Sequence, residues 1–249
     1  MHFIDLICQS HKNKQVLIGG HRGHLSDIRE NTVENFEALA RSEIRYIEID
    51  IQLTRDNEAV IFHDRELSEK TPLSGHVRDY TVQELKAAFE LNTLDEVLFW
   101  CKNNRMFALL EIKSKDYTHE ERVILARRIT DMILFHQFQN DCIPLSIDHE
   151  ILRLIKNALP EIRLALIVPE KPEDPIGLMK SMQASIWLSY LEDMDKELVF
   201  ILHRAGYYVD GSVVNDEKKL IQAIEMDVDM IESDYPFEVL RSYKEKTQC

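Results

Sequence analysis

The feature that most limits what this chain can fold into is the end-to-end alternation of short apolar runs with helical patterns. Such alternation predicts βα units feeding one parallel sheet. Strands are predicted at Val16–Gly20, Tyr46–Gln52, Ala59–His63, Phe107–Lys113, Ile143–Ile147, Leu164–Val168, Ser185–Ser189, Tyr207–Val214 and Met230–Ser233. Helices are predicted at Asn31–Ser42, Thr81–Leu91, Thr93–Asn103, His119–Gln137, His149–Ala158, Asp174–Met182, Asp195–Ala205 and Asp216–Met226. Thr81 precedes Glu84, and Thr93 precedes Glu96, at the spacing of a capping box, while Pro160 and Gly206 stand where helices should stop. A length of 249 residues suits a single α/β barrel. The expected fold class is therefore α/β, a TIM-type (β/α)8 barrel forming one domain over residues 1–249.

Nine strand candidates compete for eight barrel positions, and periodicity does not say which lies outside. The connection from Asp50 to His63 has no room for a helix. Roughly nine extended residues span about 30 Å, so a direct return to the barrel bottom and a local hairpin both remain open.

Charge narrows the partners. Thirty Lys+Arg against forty-four Asp+Glu leave a net charge of −14, which argues against nucleic acid or an anionic membrane surface. A phosphate-bearing ligand would need a local cluster of positive charge or a bound cation. The scattered Cys8, Cys101, Cys142 and Cys249 read as free thiols of a reducing compartment. Met1–Val16 does not read as a secretion signal, and no run approaches the roughly 18 apolar residues of a membrane span. The expectation is a cytoplasmic protein, monomer or homodimer, without stable membrane insertion.

Four segments end apolar runs with ionisable residues: Gly19-Gly20-His21-Arg22-Gly23 with Glu30-Asn31-Thr32 after it, Tyr46–Ile51, Val60–Asp64 and Leu109–Lys113. Period-two geometry puts Glu48 and Asp50 on one face of their strand and Ile47, Ile49 and Ile51 on the other. In a barrel the isoleucines face the outer helices and the carboxylates the axis. Glu111 and Lys113 repeat the pattern. Three carboxylates converging in a barrel interior repel unless a cation sits among them, and an all-oxygen set suits Mg²⁺ or Ca²⁺ rather than zinc. His21 and His63 would stand at two other strand ends as general acid and base, each worth ~10²–10⁴ in rate. Arg22 offers a bidentate guanidinium to phosphate, and Lys113 a point charge. Each segment alone has an ordinary structural explanation; their joint, ordered occurrence shifts the balance to function.

At these residues the chain resembles the glycerophosphodiester phosphodiesterase family, from Leu17 to Pro236. The resemblance is carried by His21-Arg22-Gly23, Glu30-Asn31-Thr32, Glu48-x-Asp50, Leu53-Thr54-x-Asp56 and His63-Asp64. Further along it rests on Glu111-Ile112-Lys113, Ser146-Ile147-Asp148, Val213-Val214-Asn215-Asp216 and Ser233-Asp234-x-Pro236. It implies a TIM-type barrel, a divalent metal (Mg²⁺ or Ca²⁺), and hydrolysis of small-molecule glycerophosphodiesters to sn-glycerol 3-phosphate and an alcohol. By matching position, His21 and His63 are the acid/base pair, and Glu48, Asp50 and Glu111 the metal ligands. Arg22 and Lys113 bind phosphate, and Glu30 lies at the site edge, ordering metal or contacting substrate. The nucleophile is the substrate's own glycerol hydroxyl, giving a cyclic phosphate, or water directly.

Three departures stand out. Arg29 replaces the proline usual before Glu-Asn-Thr; the extra guanidinium either favours a more anionic substrate or points to solvent, the second being the favoured expectation. Ser212 replaces a tryptophan, removing an apolar wall. Glu69-Lys70-Thr71 replaces an Arg-Thr stretch, within the segment between the third and fourth strands where substrate choice is expected to lie. The rival readings are a lysophospholipase D or sphingomyelinase D type activity, a Schiff-base lyase using Lys113, and a non-catalytic barrel binding a phosphorylated ligand. Among the other histidines, His24 is expected on a solvent-exposed loop and His203 as a satisfied structural residue. Trp187, Tyr190 and Tyr207 are expected in the core.

Overall fold

In a computed structural model, which describes residues 1–247, the apolar runs form nine strands. They are β1 (Leu17–His21), β2 (Tyr46–Leu53), β3 (Ala59–Ile61), β4 (Phe107–Ile112), β5 (Cys142–Ser146), β6 (Ala165–Ile167), β7 (Ile186–Ser189), β8 (Tyr208–Gly211) and β9 (Met230–Ser233). Eight of them run parallel and close, because β1 pairs with β9 on one side and β2 on the other. The ninth is β3, which pairs antiparallel to β2 with Ile51 opposite Ile61. The local hairpin is thus the arrangement taken, and the direct return to the barrel bottom is not.

Turn chemistry explains the hairpin. Thr54 N–H donates to Glu58 O (2.9 Å), Thr54 Oγ1 donates to Asp56 Oδ1 (2.7 Å), and Asn57 takes a left-handed φ of 63°. The returning strand lays Phe62 N–H on Asp50 O (2.9 Å), which delivers His63 to the barrel mouth.

Among the described residues ten α-helices pack around the strands: α1 (Phe3–Lys12), α2 (Val33–Ala40), α3 (Val82–Ala88), α4 (Leu94–Asn104), α5 (His119–Phe135), α6 (His149–Ala158), α7 (Pro175–Met182), α8 (Lys196–Arg204), α9 (Glu217–Met226) and α10 (Pro236–Thr247). The capping boxes at Thr81 and Thr93 form as their spacing predicts. Two helices were not anticipated, α1 and α10. The first starts where His2 N–H donates to Asp5 Oδ2 (3.1 Å), and Phe3 and Ile7, four apart, face one way. The predicted strand Tyr207–Val214 is shortened at its end, because Ser212 Oγ turns back to donate to Asp210 Oδ1 (2.5 Å).

Strand parity divides the core in two. Ile47, Ile49 and Ile51 pack outward with Leu94, Val97 and Leu98 of α4. Tyr46, Leu109, Ile143, Ala165, Ile186 and Met230 point inward and are plugged from below by Phe3 and Ile7. Gly19 permits this plug: a Cβ there would sit 2.2 Å from the Tyr46 ring. A third, small cluster of Val60, Phe62, Leu67, Val77, Leu85 and Leu91 supports the segment between β3 and β4. Cys8, Cys101 and Cys142 are free thiols, and Cys249 lies outside the described residues. Among the described residues no helix is long and apolar enough to cross a membrane.

Candidate active site at the barrel mouth

Glu48 and Asp50 project inward from β2, and their neighbour in register, Glu111 of β4, joins them. One carboxylate oxygen from each lies within 4.8 Å of the others, a group able to hold a metal ion. Glu48 and Asp50 are 1% and 0% exposed, so their charges have almost no water. Glu48 Oε1 accepts no hydrogen bond; Asp50 Oδ1 is 3.0 Å from Lys113 Nζ but outside hydrogen-bonding geometry. Burial, then the charges of Asp50 and Glu111, push the Glu48 carboxyl well above the usual range. Burial opposes the charge of Asp50 too, but Lys113, His63, Arg22 and an Asn31 amide donor (2.8 Å) outweigh it and hold that carboxyl at about 2. An all-oxygen donor set with orphaned lone pairs fits a hard divalent cation, whose charge would offset the repulsion that raises Glu48.

The cations lean on the same acids. Lys113 Nζ also bonds Glu111 Oε1, and although burial opposes its charge, Asp50, Glu111 and Glu48 raise its pKa above the ordinary value. Arg22 occupies a left-handed turn (φ 56°) and donates its backbone N–H to Glu48 Oε2 (3.1 Å). Burial works against its guanidinium, but Asp50, Glu48, Glu30 and Glu111 overcome it. Its Nε is buried and donates no hydrogen bond, although Asp50 Oδ2 is 3.4 Å away. Glu30 stands apart from the three carboxylates: it accepts from Lys70 Nζ (2.6 Å) and Arg22 Nη1 (3.5 Å) at the rim.

The two histidines share one design. His21 Nδ1 meets Asp234 Oδ1 at 2.7 Å, and His63 Nδ1 meets Asp64 Oδ1 at 2.7 Å. Each ring therefore has Nε2 free for other work, and both rings line a central cavity of about 130 Å³ with Glu48, Glu111 and Lys113. Asn215 fixes Asp234 in turn, donating Nδ2 to its Oδ2 (2.5 Å) and accepting its backbone N–H (2.9 Å). Half-burial disfavours the charge of Asp234, yet bonds from His21 and Asn215 keep its carboxyl below the usual range.

Asp234, Asp64, Asn215 and Asn31 received no roles from the sequence, although all four lie in or beside the segments quoted above. They sit past strand ends, where parity says nothing about direction. Some other expectations change. Arg29 does not point to solvent; its guanidinium lies 4.6 Å from the Phe89 ring and 5.6 Å from Phe62. His24 is half-buried, edge-on to Phe237 at 5.3 Å, with Nε2 unpartnered, rather than solvent-exposed. Tyr190 is 58% exposed and lines the central cavity rather than the core, whereas Trp187 is fully buried as expected. His203 is satisfied, bonded to Asp229 at 2.9 Å.

In a closed (β/α)8 barrel the C-terminal mouth is where catalytic groups collect, and here it holds the half-satisfied acids, bases and cations. This is a barrel enzyme. Residues 21–238 match the model of the glycerophosphoryl diester phosphodiesterase family, and the chain belongs to that family. A glycerophosphodiester phosphodiesterase of Bacillus altitudinis is 28% identical, covering 88% of this chain and 94% of the relative. One from Caldanaerobacter subterraneus subsp. tengcongensis is 26% identical over 89% and 95%. The fold is shared with an Oleispira antarctica phosphodiesterase solved with the product sn-glycerol-3-phosphate. There the TM-score is 0.85 at 22% identity, covering 93% of this chain and 98% of that one.

Proposed function

We propose that this enzyme hydrolyses glycerophosphodiesters to sn-glycerol 3-phosphate and an alcohol, with His21 and His63 as the acid–base pair. The observation that carries the reading is the matched pair of aspartate-held imidazoles facing one cavity beside three carboxylates. Glu48, Asp50 and Glu111 would hold Mg²⁺ or Ca²⁺; when bound, the cation supplies neutralisation of phosphoryl-oxygen charge. Arg22 and Lys113, both lining the cavity, orient the phosphate. One imidazole takes the proton from the attacking hydroxyl as its oxygen bonds to phosphorus. The other gives a proton to the alcohol oxygen as that P–O bond breaks. Asp234 and Asp64 fix the tautomers and stabilise each imidazolium as it forms. Leu145, Ile167, Leu188 and Tyr190 give the cavity a partly apolar wall against which glycerol carbons would rest.

Lys113 suits phosphate and not a Schiff base, which needs a neutral amine; three carboxylates keep this one protonated. We read the whole chain as that one domain. Although α1 lies outside residues 21–238, Phe3 and Ile7 fill the barrel floor. The free Cys8, Cys101 and Cys142 suit the cytoplasm.

The test is release of glycerol 3-phosphate from glycerophosphocholine and glycerophosphoethanolamine with Mg²⁺, with Ca²⁺ and with EDTA, beside His21→Ala. Metal-dependent release that the variant loses is expected. Release that survives both EDTA and the substitution would sink the mechanism.

A further inference from the structure

Two recesses flank the central cavity. One is lined by His21 and Arg22 with Arg29 and Lys70, and its cations are committed: Arg29 stacks on Phe89, and Lys70 and Arg22 both reach Glu30. Its Asp27, Glu30 and Asp234 match the three Lys/Arg one for one. The other recess, of about 260 Å³, shares His63, Glu111 and Lys113 with the central cavity, so a group departing from phosphorus on the His63 side enters it directly.

This second recess is basic in a chain whose net charge is −14. Four Lys/Arg (Arg65, Arg78, Lys113, Lys115) line it against two carboxylates, Glu111 and Asp116, and His76 adds a ring whose Nε2 lies 3.6 Å from Glu66 Oε1. Glu111 is already engaged by Lys113. Arg65 reaches Asp116 at 3.2 Å, but the two side chains are 68% and 50% exposed, so water screens the pair and Arg65 can turn to a ligand at little cost. Among the described residues no carboxylate lies within ion-pair distance of Lys115. Arg78 is held in place, stacked 5.6 Å over Tyr117, donating to Asp116 O (3.2 Å) and 3.7 Å from Glu121 Oε1, a carboxylate outside the recess lining. The loop carrying Arg65 is tied to the wall by His76 Nδ1 on Arg65 O (2.9 Å). Ile147, 39% exposed, adds an aliphatic patch to the wall.

We propose that this recess receives the alcohol moiety of the diester and selects alcohols that carry a second anionic group, a phosphate monoester or a carboxylate. The inference rests on the phosphodiesterase reading of the neighbouring site. The selecting groups come from the segment between β3 and β4 and from the loop after β4, so the preference belongs to this chain's own loops rather than to the barrel.

The experiment compares kcat/KM for glycerophosphoinositol 4-phosphate with that for glycerophosphoinositol, a pair that differs only by a phosphate monoester on the ring. Glycerophosphoserine tests the carboxylate, and glycerophosphocholine serves as the cationic control. The phosphorylated ester should lead the unphosphorylated one by about tenfold at low salt, the ratio shrinking as salt screens the exposed cations. Arg65→Gln with Lys115→Gln should bring that ratio close to one, while Arg65→Lys should keep most of it. A wild-type ratio at or below one overturns the inference and leaves the phosphodiesterase reading intact, since the choline ester still reports the reaction. A ratio unmoved by the double variant, or faster turnover of lysophospholipids than of all four diesters, also overturns it. No release from any of them, on folded metal-loaded protein, overturns both readings together.

Discussion

The two ends of this barrel hold the same residue types and do opposite things with them. At the floor, Asp229 accepts from His11 Nδ1 (2.6 Å) on one oxygen and from His203 Nε2 (2.9 Å) and Val209 N–H (2.7 Å) on the other. Its three donors come from α1, α8 and β8, so one buried carboxylate ties the plugging helix to the sheet. Those atoms are also close enough to hold an ion, yet both carboxylate oxygens there are already bonded to N–H groups. At the mouth, Glu48, Asp50, Asp64 and Arg22 each keep a buried polar atom without a hydrogen bond. An unsatisfied buried polar group costs about 1–3 kcal/mol, so the mouth is held at a cost that the floor does not bear. Hydrogen-bond satisfaction, more than the presence of His and Asp, separates a structural cluster from a reactive one.

The sharpest way to break that comparison is to substitute both ends. His21→Ala and His63→Ala should each lower kcat by ~10²–10⁴ while leaving the unfolding midpoint nearly unchanged. Asp229→Ala should do the reverse. Losing the acceptor of three donors should cost about 3 kcal/mol in urea unfolding, with kcat of the folded enzyme preserved. A large kcat loss in Asp229→Ala would erase the distinction between the ends.

Divalent cations sharpen it further. At ~100 times its dissociation constant, Mg²⁺ or Ca²⁺ should add about 2.7 kcal/mol of stability, which Glu48→Gln should largely remove and Asp229→Ala should not. Equal stabilisation of wild type and Glu48→Gln would place the cation elsewhere.

Between the two ends lies a buried carboxyl pair, Asp210 and Glu232, each with one unpartnered oxygen. Burial first, and then Asp229, push Asp210 up to about 6 from an ordinary 3.8, against the lowering bonds from Ser212 and Glu232. From about pH 4 to 6 the folded state therefore retains a proton that the unfolded chain releases. This contribution favours folding at the acid end of the window and is lost as pH rises through 6, on the order of 3 kcal/mol. Asp210→Asn should flatten that decline in a urea-unfolding series at stepped pH; a slope equal to wild type would dissociate Asp210 from it.

Much of the fold was legible because barrel strands write their direction locally. The alternation of Ile47, Ile49 and Ile51 with Glu48 and Asp50 sufficed to point the acids at the axis, and Glu111 followed by the same parity. The capping boxes at Thr81 and Thr93 were equally local. Both signals lie within ten residues of chain, which is why a sequence alone carries them. The extra strand was not settled that way, since a five-residue turn serves a hairpin or a return equally until β2 finds its partner. Nor was the partner of His21, which lies 213 residues away in Asp234. Nor was the direction of Arg29, which depends on Phe89 arriving from a different segment. Periodicity determined which side chains face inward, on the strength of backbone geometry alone. Only closure of the barrel decided which of them meet, because loop residues past the strand ends take their positions from neighbours distant in sequence.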